Sequence, residues 1–91
     1  MIMEEMTSPE FAAGLEKTRT AILPLGSLEE HGRHLPLMTD TLHIASLARA
    51  AAKRIDLFVA PALPYGLCRG TSQHPGTVSI SFETVRLLVR D

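Results

Sequence analysis

Short apolar runs and helical stripes alternate along this chain. Residues 20–25 (TAILPL) are apolar on both faces, which is typical of a buried parallel strand, and Gly26 ends the run. From Thr41 to about Ile55, apolar residues recur at spacings typical of one helix with a single apolar stripe. The stripe comprises Ile44, Leu47, Ala48, Ala51 and Ile55. Residues 57–60 (LFVA) predict a second strand, so the order strand–helix–strand indicates a parallel pair.

Weaker patterns surround this unit. Ser8 followed by Pro9 predicts the start of a short helix, with Ser8 as its cap and Pro9 at its first helical position. Residues 77–81 alternate polar and apolar side chains, which predicts a third strand or an extended segment. Ser81 then serves as the expected cap of a helix over residues 82–90.

These elements predict an α/β fold in which a parallel-type sheet is flanked by helices. A length of 91 residues allows one domain, residues 1–91. The chain has no Trp and only 4% aromatic residues, so its core must be aliphatic. In open parallel sheets, functional loops follow the carboxyl ends of the strands. Here those loops are residues 29–40 and 65–76.

Charge and composition exclude several function classes. The net charge is −1 and the nine basic residues are scattered, which argues against nucleic acid or an anionic membrane surface as a partner. No apolar run approaches the length of a membrane span, and the acidic N-terminus does not resemble a secretory signal. A single cysteine, Cys68, cannot form an internal disulfide, so the expected location is the cytoplasm.

The densest cluster of chemistry-bearing side chains lies directly after the first predicted strand. Glu29 and His31 are two residues apart, so an irregular segment can point both to the same side. Asp40 follows at the start of the predicted helix, where Asp40 or Thr39 would also suit the cap position. Carboxylates and imidazoles are ligands of divalent metals. Spacing alone leaves two interpretations open, a metal site and a charged surface loop.

Other polar residues in these loops are candidates for supporting roles. Glu30 and His34 could orient ligands or relay protons, although His34 could equally be a hydrogen-bonded structural residue. His74, in the second loop, could line a substrate pocket or cap its own loop. Cys68 has no basic partner and Ser27 lacks the surroundings of a nucleophile elbow, so neither is expected to be a nucleophile.

Two blocks of this sequence resemble the creatininase (creatinine amidohydrolase) family. Residues 23–36 (LPLGSLEEHGRHLP) with the following Asp40 are similar to the family's first signature nearly position for position. Residues 61–66 (PALPYG) and 74–79 (HPGTVS) are similar to its second block. The one departure in the first signature is Glu30, where the family usually has Gln.

The resemblance implies a creatininase-like three-layer sandwich, present here as its N-terminal part. It also implies metal-dependent hydrolysis of an amide or cyclic amide C–N bond through a metal-activated water. The metal would be Zn²⁺, Mn²⁺ or both, binuclear in the complete enzyme and bound by Glu29, His31 and a bridging Asp40. The substrate would be a small-molecule amide, and the protein would be a homo-oligomer. The candidate catalytic residues beside the metal are Glu30, His34 and His74.

Length supports an alternative. Members of the family are typically more than twice as long and draw further metal ligands from a later segment, which these 91 residues do not include. The chain could therefore be a catalytically inactive fragment that retains a partial metal site or acts only in assembly.

Overall fold

The computed structural model describes residues 1–91 and confirms the predicted α/β class. After a 3₁₀ turn at Met3–Glu5, the elements are helix α1 (Ser8–Gly14), strand β1 (Ala21–Ile22), helix α2 (Thr39–Ala52), strand β2 (Phe58–Val59) and helix α3 (Phe82–Arg90). The two strands are parallel, with Ala21 opposite Phe58 and Ile22 opposite Val59. Helix α2 lies between them in sequence, as the strand–helix–strand pattern predicts.

The core is small and lies where α2 packs on β2. Ala48, Leu57 and Val59 form one buried cluster. Phe58 is only 2% exposed and points toward α1, where its ring centroid lies 4.5 Å from that of Phe11. The side chains that carry the fold are therefore concentrated in and beside one short strand.

Both strands are shorter than predicted. Pro24 limits the first strand, because proline has no N–H to donate to the hydrogen-bond ladder. The pairing nevertheless continues past Pro24 as an isolated parallel bridge between Leu25 and Leu63, and the Gly26 amide donates to the Leu63 carbonyl at 2.9 Å. Two extended segments thus run side by side from the sheet into the loops beyond it.

Residues 77–81 form an extended segment and not a third strand. Val78 makes an isolated antiparallel bridge with Leu28, and Ser79 makes an isolated parallel bridge with Gly66. This segment therefore connects the two loops that follow β1 and β2.

The first helix begins one residue earlier than predicted. Thr7 is the N-cap residue of α1, and Glu10 Oε2 accepts hydrogen bonds from the Thr7 amide at 2.7 Å and from its hydroxyl at 2.6 Å. At α3 the prediction is confirmed, since Ser81 Oγ accepts from the Thr84 amide at 3.1 Å.

The predicted stripe of α2 is wrong for Leu47 and Ile55, whereas Ile44 is partly buried and Ile55 lies beyond the end of the helix at Ala52. Leu47 is 53% exposed and Ile55 is 61% exposed. Thr41 and Ala48 are the buried residues of this helix instead. Small side chains on the packing face let α2 lie close to the sheet, and the larger side chain of Leu47 faces solvent.

The surface of the chain is larger than that of a self-contained domain. Its accessible area is 6442 Å², whereas a folded monomer of this mass is expected to expose about 5,200 Å². The radius of gyration is 15.2 Å, compared with about 12 Å for a compact domain of this length. Part of the extra surface is a shallow groove on α2, which we call the α2 outer patch. The groove is lined by Ala50, Ala51, Arg54 and Ile55, and the patch also includes the exposed Leu47 one helical turn before them.

The helices are short. None is both long enough and apolar enough to cross a membrane.

Candidate metal centre

A glycine brings the end of the first extended segment against the first turn of α2. A Cβ atom built on Gly26 would lie 2.6 Å from Thr41 Cα, so any side chain at this position would push the two apart. The approach is secured by a buried hydrogen bond of 2.8 Å from the Thr41 hydroxyl to the Ser27 carbonyl. As a result, the loop that starts at Ser27 lies beside Asp40, the second residue of α2.

Glu29 and Asp40 both contact the Ser27 hydroxyl, and His31 contacts Asp40 in turn. Ser27 Oγ lies 2.6 Å from Asp40 Oδ2 and 3.0 Å from Glu29 Oε1. His31 Nε2 lies 3.2 Å from Asp40 Oδ1. The structure thus brings together the three residues that the sequence predicts as metal ligands. Asp40 does not cap α2, because its carboxylate turns to Ser27 and His31.

The backbone fixes the orientation of the His31 ring. Nδ1 lies 3.0 Å from the Glu29 carbonyl oxygen, which can only accept a hydrogen bond, so Nδ1 carries a proton. In a neutral ring Nε2 then holds a lone pair, and that lone pair faces a carboxylate oxygen of Asp40. Because a lone pair and a carboxylate oxygen repel each other, a positive charge is needed between Nε2 and Asp40 Oδ1, either a proton on Nε2 or a cation.

The pKa values of the pair reflect this arrangement. The Ser27 hydroxyl, followed by His31, lowers the pKa of Asp40 below its ordinary value. The hydrogen bond to the Glu29 carbonyl, with a further contribution from Asp40, raises the pKa of His31. Cys68 is buried nearby, and its thiol pKa is raised by burial and then by the negative charges of Glu29 and Asp40. The site therefore favours cations and keeps the thiol protonated.

The donor set suits a divalent cation, although the side chains are not spread around one point. No three His, Cys, Asp or Glu side chains are arranged to hold a metal ion together. His31 contacts Asp40 directly, and the Ser27 hydroxyl lies between Asp40 and Glu29. Two carboxylates and an imidazole are nevertheless the ligand types of zinc and manganese sites.

None of the three predicted catalytic residues hydrogen-bonds to this cluster through its side chain. The Glu30 carboxylate turns back to its own loop and accepts from the Gly32 amide at 2.6 Å. His34 and His74 are exposed, and neither side chain makes a hydrogen bond. The His74 carbonyl accepts from the Thr77 amide at 3.2 Å, so the backbone of His74 helps to shape its loop.

Sequence reasoning missed the hydroxyl groups of the site. Ser27 is 7% exposed and Thr41 is 5% exposed, and both act through hydrogen bonds. Thr71, from the loop after β2, donates to Glu29 Oε2. The available signal was the position of Ser27 in the signature, two residues before Glu29. Ser27 was considered only as a nucleophile.

Comparison with known proteins places this fold and site in one family. The family model for creatininase, described as creatinine amidohydrolase, matches residues 4–91. The chain belongs to the creatininase family. The relatives found are hydrolases that act on amide bonds.

Two curated relatives show how much of the fold is present. The chain is 36% identical to the mycofactocin precursor peptide peptidase of Mycobacterium tuberculosis, over 75% of this chain and 31% of that protein. It is 32% identical to the creatinine amidohydrolase of Pseudomonas putida, over 96% of this chain and 36% of that protein. The chain thus spans about a third of the length of these curated relatives.

Solved structures agree with this assignment. A mutant creatininase of Zn-Zn type superposes with a TM-score of 0.92 at 31% identity, over 99% of this chain and 37% of that one. A creatininase described as the Mn form superposes with a TM-score of 0.78 at 31% identity, over 98% of this chain and 40% of that one. The arrangement of helices and strands is therefore that of part of a creatininase.

Proposed function

We propose that this chain carries the metal-binding part of a metal-dependent amidohydrolase. The observation that carries the proposal is a chain of contacts at the end of the first extended segment, in which the Ser27 hydroxyl joins Glu29 to Asp40 and His31 contacts Asp40. The existence of Zn-Zn and Mn forms among the structural relatives supports a divalent metal, either Zn²⁺ or Mn²⁺.

In this proposal the metal ligands are His31 Nε2 and the carboxylates of Glu29 and Asp40. Asp40 has two oxygens on different partners, which suits it to bridge two ions. A bound divalent metal supplies polarisation of the amide carbonyl and a water that loses its proton near neutral pH. We assign Glu30, His34 and His74, from the two loops that follow the strands, to substrate orientation and proton relay.

The proposed substrate is an amide whose C–N bond is hydrolysed. The two relatives described above are named for a precursor peptide and for creatinine, so both a peptide and a small cyclic amide belong to the class. The proposed setting is the cytoplasm, where a lone Cys68 stays reduced.

Metal titration tests this proposal directly. Calorimetric titration with Zn²⁺ and with Mn²⁺ is expected to show saturable binding by the parent chain and its loss in Asp40→Asn, which keeps the shape of the side chain and removes its charge. Asp56→Asn is the matched control, because Asp56 is exposed and makes no side-chain hydrogen bond. Equal binding by the parent and Asp40→Asn would overturn the assignment of the ligands.

A second candidate function, assembly without catalysis, rests on a different observation. The accessible surface exceeds that expected of a folded monomer by roughly 1,200 Å², and the α2 outer patch contributes large apolar side chains to it. Stable interfaces bury on the order of 800 Å² per partner, and obligate ones bury more. We propose that the patch is covered by a second copy of this chain.

Sedimentation velocity distinguishes a dimer from a monomer. The parent chain is expected to sediment as a dimer, and Leu47→Lys is expected to shift it toward the monomer by placing a charge in the interface. Ser46→Lys adds the same charge to the same helix at an exposed position beside the patch and is expected to leave the dimer intact. A parent chain that sediments as a monomer would overturn this proposal.

A further inference from the structure

The two carboxylates of the candidate metal centre are each held by one hydroxyl group. Ser27 Oγ lies 2.6 Å from Asp40 and 3.0 Å from Glu29, but a serine hydroxyl has only one proton to donate. The shorter contact assigns that proton to Asp40. Glu29 accepts its hydrogen bond from another residue, because the Thr71 hydroxyl donates to its other oxygen, Oε2.

This division determines which carboxylate oxygens receive no hydroxyl hydrogen bond. Asp40 uses Oδ2 for Ser27 and turns Oδ1 toward His31 Nε2. Glu29 uses Oε2 for Thr71, and its Oε1 remains on the side of Ser27 and Asp40. Asp40 Oδ1 and Glu29 Oε1 thus receive no hydroxyl proton, and Oδ1 is paired with the His31 ring nitrogen instead.

The two hydroxyls differ in how firmly they are held. Ser27 is 7% exposed, and its carbonyl is fixed by the buried hydroxyl of Thr41 on α2. Thr71 is partly exposed and belongs to a hydrogen-bonded turn, since its carbonyl accepts from the His74 amide at 2.9 Å. Ser27 therefore ties Asp40 to the end of the first extended segment, and Thr71 ties Glu29 to the loop after β2.

We propose that Ser27 and Thr71 are positioning residues that hold Asp40 and Glu29 in the orientation required for metal binding. The inference rests on the proposed metal site and assigns a role to two residues beyond its ligands. Groups that orient metal ligands typically contribute a factor of about 10–100 to metal affinity. Neither hydroxyl needs to touch the metal or the substrate.

The test compares the Zn²⁺ dissociation constants of single variants, measured by competition with a chromophoric chelator. Ser27→Ala and Thr71→Val, which removes the hydroxyl and keeps the shape, are each expected to weaken binding about 10–100-fold. Thr71→Ser keeps the hydroxyl and is expected to bind like the parent. Ser46→Ala is the control, because the Ser46 hydroxyl bonds only within α2.

A spectroscopic signature separates positioning from loss of fold. The visible absorption of bound Co²⁺ is expected to change in Ser27→Ala and Thr71→Val and to return in Thr71→Ser, while circular dichroism stays that of the parent. Should Ser27→Ala fail to fold, Thr71→Val carries the test from the more exposed loop. Parent-like Zn²⁺ affinity and Co²⁺ spectra in both variants would overturn this inference alone. Absence of metal binding by the parent would overturn the proposed function and this inference with it.

Discussion

The candidate metal centre and the α2 outer patch lie on the same helix and reverse the usual distribution of side chains in opposite ways. Where the loop after β1 meets the first turn of α2, polar residues are buried, because Ser27 is 7% exposed and Thr41 is 5% exposed. Further along α2 and just beyond its end, Leu47 and Ile55 are more than half exposed. Buried polar groups and exposed apolar patches are the informative departures in a folded protein, because the reverse arrangement needs no explanation.

The difference between the two regions is whether their unusual groups have partners. Every buried polar side-chain atom has a hydrogen-bond partner within the chain, so the polar region is complete in itself as a hydrogen-bonded network. The apolar patch has no partner within the 91 residues. The candidate metal centre can therefore be tested on the chain alone, whereas burial of the α2 outer patch requires the surface of another molecule.

Removing the strand residue on which both regions depend should have the largest effect. Phe58→Ala deletes a ring that is 2% exposed and packed on Phe11. The expected loss in the free energy of unfolding is about 3–5 kcal/mol, measured by urea denaturation, and both metal binding and dimer formation should fail. Phe82→Ala removes a ring that is 62% exposed and should cost far less. Equal losses in the two variants would show that the core is misplaced.

A glycine substitution should separate the centre from the patch. Gly26→Ala forces a Cβ atom against Thr41 on the first turn of α2, with Thr41 Cα only 2.6 Å away. The expected cost is about 1–3 kcal/mol, as for other overpacked sites, together with weaker Zn²⁺ binding. Gly70→Ala is the control, since no atom lies within 4 Å of its built Cβ. Urea denaturation and metal competition on both variants check the prediction, and parent-like Zn²⁺ affinity in Gly26→Ala would contradict it.

A small pH effect should be independent of both regions. Hydrogen bonds from Thr7 lower the pKa of Glu10 below its ordinary value of 4.5. A lowered pKa in the folded state means that ionised Glu10 stabilises the fold above about pH 4.5, and that this stabilisation is lost as the pH falls through the folded value. Melting curves from pH 7 to pH 3 should show a smaller acid-induced change for Glu10→Gln than for the parent. Glu16→Gln, whose side chain makes no hydrogen bond, should follow the parent.

Much of this protein could be predicted where a local pattern has a local cause. The α/β class follows from two apolar runs and a helix between them, and Ser81 marks the start of α3 through its own hydrogen bond. The three ligand candidates are predictable because Glu29, His31 and Asp40 lie within twelve residues of one another after the first strand. The length of β1 could not be read in the same way, because Pro24 interrupts the ladder while the chain remains extended.

The order of the elements and the identity of the charged groups at the centre can be read from the amino-acid pattern alone. The buried face of α2 depends on packing in three dimensions, because small residues such as Ala48 allow a closer approach to the sheet than Leu47 does. The tertiary structure also decided the roles of Ser27 and Thr71. Thr71 lies 42 positions from the carboxylate that it holds, and a hydrogen bond over that separation depends on the folding of two loops and leaves no periodic trace in the sequence.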